Sequence, residues 1–130
     1  MSWRWISKQA LLLLHDESLA EHGGGAGLRD DGLLDSALAR PVNLAAYEKP
    51  DAAALAASYG VGVAKNHPFV DGNKRAALLA TGLFLYLNGF RLQATQADTT
   101  LTMLGVAAGE VSEEAFADWL RSHIVVRVKP

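Results

Sequence analysis

The stretch from Asn73 to Leu87 constrains this chain more than any other. Ala76, Ala77, Leu78, Leu79, Ala80, Leu83, Phe84, Leu85 and Leu87 put apolar side chains on nearly every face of a helix beginning at about Asn73. A helix that is hydrophobic all round belongs inside a fold, with other elements wrapped around it. Asn88-Gly89 supplies its left-handed stop. With 130 residues, the chain can bury such a core within one domain, 1–130. Half of those residues are hydrophobic, Ala and Leu prominent among them, which favours helices over strands.

The wrapping elements are read from their stops and caps. Ser7 is placed to cap a first helix running to about Glu21, with Ala10, Leu11, Leu14 and Leu19 near helical spacing. The glycines of His22-Gly23-Gly24-Gly25-Ala26-Gly27 end it in a loop. Leu33 to Ala39 reads as a short helix that stops before Pro41, because proline disfavours helical geometry in its predecessor. Asn43 to Pro50 reads as an irregular connection. Asp51 caps the Ala-rich helix Ala52 to Lys65. Helices from Asp98 to about Ala107, and from Ser112 to about His123, complete a set of six. The tail Ile124-Val125-Val126-Arg127-Val128 is β-branched and reads as a short strand or a frayed end. Trp3 and Trp5 alternate, which suits a strand or partner surface, although packing is the simpler reading. The expectation is an all-α domain of about six helices around a buried central one.

Composition narrows the function. A net charge of −2 gives no general attraction to nucleic acid or anionic membrane. The absence of cysteine excludes disulfides and thiolate metal sites. The N-terminal segment lacks the pattern of a signal peptide. The longest charge-free run, Ala76 to Phe90, falls short of the ~18–20 residues needed to span a bilayer. A cytoplasmic, membrane-free protein is expected.

The most polar cluster interrupts the two most apolar helices. Lys65, Asn66, His67, Asp71, Asn73, Lys74 and Arg75 lie where the chain must pass near the domain's centre, and uncompensated charge is costly there. Pro68 restrains the chain after His67, Phe69 offers an apolar anchor, and Asp71-Gly72 is a turn dipeptide. The amides of Gly72, Asn73, Lys74 and Arg75 then point outward at the positive end of the next helix, an arrangement suited to phosphate. Lys74 and Arg75 add positive charge where the helix dipole alone would oppose it, which implies an anionic ligand. Lys65 is grouped with these phosphate-binding candidates; its plainer reading is a cation at the negative end of its own helix. Asp71 is the hard carboxylate that Mg²⁺ takes beside phosphate oxygens, or simply a turn residue before the helix. His67 carries an imidazole, a side chain suited to accept a proton from an attacking hydroxyl. Base, metal ligand and anion hole form a phosphoryl-transfer set. His15, His22 and His123 lack partners at metal-ligand spacing and read as structural or exposed.

The run His67-Pro68-Phe69-Val70-Asp71-Gly72-Asn73-Lys74-Arg75 resembles the signature of the Fic/Doc family, HPFx(D/E)GN, continued by Lys-Arg as in its death-on-curing branch. Gly23 to Asp30, Gly32 to Pro41 and Ser112-Glu113-Glu114 are similar to family segments too, so the resemblance spans roughly residues 6 to 123. It implies a Fic/Doc-type helical domain in which His67 is catalytic and Asp71 holds Mg²⁺. Gly72 and Asn73 would form the anion hole, and Lys74 and Arg75 would contact phosphate. AMP-transferring members generally carry Gly where Lys74 stands and a second Arg where Leu78 stands, so the resemblance favours transfer of the terminal phosphate of ATP. It implies a toxin that phosphorylates elongation factor Tu and halts translation, restrained by a Phd-like antitoxin that alone would bring it to DNA. Nucleotide transfer to a protein hydroxyl (AMPylation) and a non-enzymatic antitoxin-binding co-repressor are the alternatives. Tyr47 and its neighbours would belong to a flap that positions a protein substrate. The family's inhibitory (S/T)xxxE(G/N) string is absent, since Ser18 to Glu21 has the wrong spacing.

Overall fold

Five of the six helices begin at a side-chain cap, and the sixth conspicuously does not. In a computed structural model describing residues 2–127, Ser7 caps α1 (Lys8–His22), Asp30 caps α2 (Asp31–Tyr47) and Asp51 caps α3 (Ala52–Asn66). Thr95 caps α5 (Gln96–Ala107) and Ser112 caps α6 (Glu113–His123). Each cap oxygen accepts the amide three residues on, satisfying one of the donors a helix start leaves open. α4 (Asn73–Leu87) instead starts from Gly72 with no side-chain cap.

α3 is the most enclosed element. Twelve of its fifteen residues are buried, and it packs against α2, α4, α5 and α6. Glycine and alanine let those neighbours come close: Gly60 faces Thr81 of α4 and Phe116 of α6, and Gly62 faces Ala37 of α2. The all-round burial expected for Asn73–Leu87 therefore belongs to α3. α4 lies beside it, burying Ala76, Ala77, Ala80, Thr81 and Phe84. Its Leu78, Leu79 and Leu83 are turned to a cavity instead.

The second helix differs from the expectation. It starts at Asp31 and runs on through Pro41 to Tyr47, so neither a stop before the proline nor an irregular Asn43–Pro50 segment is found. The residue before a proline is only biased away from helix, and tertiary packing decides here. Pro41 is itself buried. Arg40 donates from Nη1 to the Ser58 carbonyl of α3 at 3.0 Å and from Nη2 to Glu113 of α6 at 2.7 Å. Those contacts hold in place the turn that the missing proline N–H weakens.

After α4, Gly89 (φ 91°) turns the chain into β1 (Phe90–Leu92), which the sequence reading did not foresee. It pairs antiparallel with β2 (Ile124–Val126), Arg91 opposite Val125. Of the two readings of the tail, strand or frayed end, the strand is found over Ile124–Val126, and Val128 lies outside the described residues. Trp3 and Trp5 pack on Phe84, each with ring centroids 5.9 Å from it. Asn88 pairs with the Arg4 backbone in both directions, pinning the N-terminal segment across the end of α4.

Candidate active site

The loop between α3 and α4 is held on three sides. α3 ends at His67, a residue in the left-handed region (φ 53°, ψ 52°) that a side chain adopts at some cost. Arg29 holds it there, donating from Nε to the His67 carbonyl at 2.8 Å and from Nη2 to the Asn66 carbonyl at 3.0 Å. Residues 27–30 also run antiparallel to the loop. The Arg29 and Asp30 amides donate to the Pro68 carbonyl, and the Val70 amide donates to Gly27. Phe69 is buried as an anchor, with the His15 ring stacked on it.

The third restraint comes from Asn73, and it revises the reading of that residue. Its side chain is buried and turned back into the loop rather than toward ligand space. Oδ1 accepts the Phe69 amide at 2.9 Å, and Nδ2 donates to the Phe69 carbonyl at 3.0 Å. Nδ2 also lies 3.1 Å from His67 Nδ1. Because Phe69 fixes which end of the amide is which, Nδ2 is the donor to His67. The imidazole proton of the resting site is thereby assigned to Nε2. Only the backbone amide of Asn73 remains available to an anion.

Gly72 (φ 73°) makes the turn into α4 in a conformation other residues resist. The Asn73, Lys74 and Arg75 amides make no hydrogen bond within the described structure, so three donors are left open at the positive end of the helix. The Lys74 and Arg75 side chains are exposed beside them and form no ion pair among the described residues. Asp71 is exposed too. Its carboxylate accepts the Gly72 amide at 2.8 Å and, more loosely, the Gly25 amide at 3.4 Å. Those two hydrogen bonds, with Arg75 and His15 nearby, hold its pKa below the ordinary carboxylate value. It is therefore ionised throughout the neutral range.

His67, Asp71, Gly72, Asn73, Lys74 and Arg75 all line one cavity of about 1080 Å³ between α1, α4 and α5. That volume exceeds what a typical small-molecule pocket needs. Its inner wall is apolar, with Leu78, Leu79, Leu83 and Met103, and Glu17, Ser18, Glu21 and His22 stand on the α1 side. Lys65 is the exception among the candidates. It is exposed in the last turn of α3 and is not part of the cavity lining, which fits its plainer role at a helix C-terminus. Asp71 stands without a cluster of three or more His, Asp or Glu side chains among the described residues. One exposed, ionised carboxylate beside open amides suits a Mg²⁺ that arrives with phosphate and keeps its waters, not a resident metal.

Two residues that hold this loop carry little sequence signal. His15 is a lone histidine in a Leu-rich helix, and nothing in its neighbours distinguishes it from a core filler. Arg29 falls inside the Gly23–Asp30 segment, but a single arginine after a glycine-rich turn does not announce which carbonyls it will bind. His22 and His123 bond through Nδ1 to the Ser18 and Trp119 carbonyls of their own helices, as local structural contacts.

A helical domain that presents a His-Pro-Phe loop against an uncapped helix start is the arrangement of the Fic/Doc family. A sequence model described as Fic/DOC family matches residues 5–85, and the chain belongs to that family. Among curated relatives it is similar to "Protein kinase doc" of Escherichia phage P1, 38% identical over 119 residues that cover 91% of this chain and 94% of that one. It is also similar to "Toxin Doc" of Mycolicibacterium smegmatis, 46% identical over 78 residues, 55% of this chain and 57% of that relative.

Proposed function

We propose that this chain is the toxin of a toxin–antitoxin pair and works as an ATP-dependent protein kinase, phosphorylating elongation factor Tu and halting translation. The observation that carries the reading is the convergence of His67, Asp71, Lys74, Arg75 and three open amides on one cavity. The names of the two relatives point the same way.

In this reading the open amides of α4, with Lys74 and Arg75, take the charge of the terminal phosphates. Asp71 would hold Mg²⁺, which when bound neutralises charge on the phosphate oxygens. A hydroxyl oxygen of the target forms a bond to the γ-phosphorus as the bond from that phosphorus to the β,γ-bridging oxygen breaks. His67 takes the hydroxyl proton, and ADP departs. Its exposed ring is free to turn so that a nitrogen without a proton meets the substrate. Lys74 in place of Gly, and Leu78 in place of a second Arg, favour this chemistry over nucleotide transfer. A Phd-like antitoxin is the proposed restraint.

The test incubates the chain with Mg²⁺, elongation factor Tu and ATP labelled at either the α or the γ position, followed by intact-mass analysis of the target. Mass gain of one phosphate, with γ-label only, is expected. Transfer of α-label would establish nucleotidyl transfer instead. Growth arrest that survives His67→Ala would leave only a binding module.

A further inference from the structure

Helix α1 carries a buried group that the proposed reaction does not use. His15 is 2% exposed. Its ring stacks on Phe69, with centroids 3.8 Å apart and planes 19° apart. Its Nε2 lies 2.8 Å from the Asp71 carbonyl, and since a carbonyl only accepts, Nε2 carries the proton. The same nitrogen lies 3.3 Å from where a Cβ on Gly72 would sit. One imidazole thus touches the loop's apolar anchor, the Asp71–Gly72 peptide and the residue that opens α4. Packing accounts only for the first contact, because a Leu or Phe would fill that space equally well. A buried imidazole is costly unless bonded, and its one side-chain hydrogen bond among the described residues goes to this peptide.

That peptide leads into Gly72, the glycine at which the chain turns into α4. Gly72 tolerates backbone angles on both sides of the map, so the Asp71–Gly72 plane is free to turn over unless its carbonyl is anchored. Turning it would withdraw the Gly72 amide from Asp71 Oδ1, a 2.8 Å contact that aims the carboxylate. We infer that His15 is a positioning residue for the transfer reaction, fixing this peptide so that the Asp71 carboxylate faces the cavity beside the open amides of α4. The catalytic consequence rests on the kinase reading, whereas the anchoring does not.

Two variants separate the bond from the packing. His15→Phe keeps a stacked ring and loses the donor; His15→Gln loses the ring and places an amide donor where Nε2 stood. Amide exchange of Val70 and Gly72, read in the nucleotide-free protein as a ratio to core amides of α3, cancels any general loss of stability. The ratio is expected to rise about tenfold in His15→Phe, the loss of one ordinary hydrogen bond, and to stay near wild type in His15→Gln. In calorimetric titrations of ATP, the half-saturating Mg²⁺ concentration is expected to rise about tenfold in His15→Phe only. Nucleotide affinity in chelator should be unchanged in both, a split that a merely structural role would not produce. A His15→Phe protein with wild-type ratios overturns the inference, and so do two variants impaired alike. A wild-type chain with no Mg²⁺-dependent ATP binding overturns the kinase reading, and the exchange ratio then decides the role of His15 by itself.

Discussion

Replacing Asn73 by Ala distinguishes a loop lock from a phosphate contact. Asn73 is 4% exposed and Phe69 1%, so the Phe69 amide and carbonyl would be left buried and unpaired when the side-chain amide goes. Each orphaned group costs about 1–3 kcal/mol. Alanine's better helix propensity returns about 0.6 kcal/mol, so the net loss is about 3 kcal/mol. The unfolding entropy of a 130-residue chain is about 0.27 kcal/mol/K, and that loss lowers Tm by about 11 °C. Urea denaturation with an unchanged m-value, together with calorimetry, measures both figures. Asn73→Asp should behave differently. It keeps an acceptor for the Phe69 amide and adds a charge that the start of α4 favours, so stability falls by only about 1 kcal/mol. Its carboxylate would nevertheless repel phosphate, and transfer should be lost. An Asn73→Ala protein within about 0.5 kcal/mol of wild type that fails to bind nucleotide would refute the lock and restore Asn73 as a direct contact.

Gly60→Ala would place a Cβ 2.5 Å from Thr81 Oγ1 and 2.9 Å from Phe116 Cε2; overpacking between α3, α4 and α6 should lower the urea midpoint by about 1–3 kcal/mol equivalent, and an unchanged midpoint would contradict the close approach. His67→Ala removes an exposed side chain and should leave stability within about 0.5–1 kcal/mol while abolishing growth arrest on induction. Asp51 has its pKa lowered first by its hydrogen bonds with Arg121 and then by the α3 amide it caps. A carboxyl depressed in the folded state contributes stability above its ordinary value of 3.8 that disappears as pH falls through the lower folded value. Arg121→Gln should therefore cost stability at neutral pH and flatten the acid limb below about pH 4; an unaltered limb in a pH series of urea midpoints would count against the pair.

Much of the site is readable in sequence because its chemistry is packed into nine consecutive residues. The loop's direction of travel, from the end of one apolar helix into another, is set by Pro68, Gly72 and the caps nearby, and local rules describe them well. What surrounds the loop obeys longer-range logic. Pro41 argues locally for a stop, yet α2 continues because Arg40 reaches both α3 and α6, an interaction between residues 18 and 73 positions apart. The face of α4 that lines a cavity looks as apolar as the face that meets α3, so pattern alone assigns both to the core. Strand β1 is three residues long and exists because β2 returns to it from the far end of the chain. Asn73 is the instructive case: its type and place suggest an anion contact, and only the geometry of Phe69 turns its side chain inward.

That inward turn has a consequence for the chemistry. With Nδ2 of Asn73 donating to Nδ1 of His67, the neutral ring keeps its proton on Nε2, whereas a base needs a free lone pair directed at the substrate. If His67 is the base of the proposed transfer, the resting site is set against premature proton removal, and that reaction would require the exposed ring to rotate or to exchange its tautomer. Nitrogen-15 NMR of the imidazole separates protonated from bare ring nitrogens. Below saturation with nucleotide, His67 should report a proton on Nε2, and on adding Mg²⁺·ATP the population should shift toward the other form. Asn73→Ala should show no such bias in the free protein, because the donor that imposes it is gone. If wild-type His67 carries its proton on Nδ1 before any ligand is present, the Asn73 contact is not what orients the base, and the amide assignment made from Phe69 is wrong.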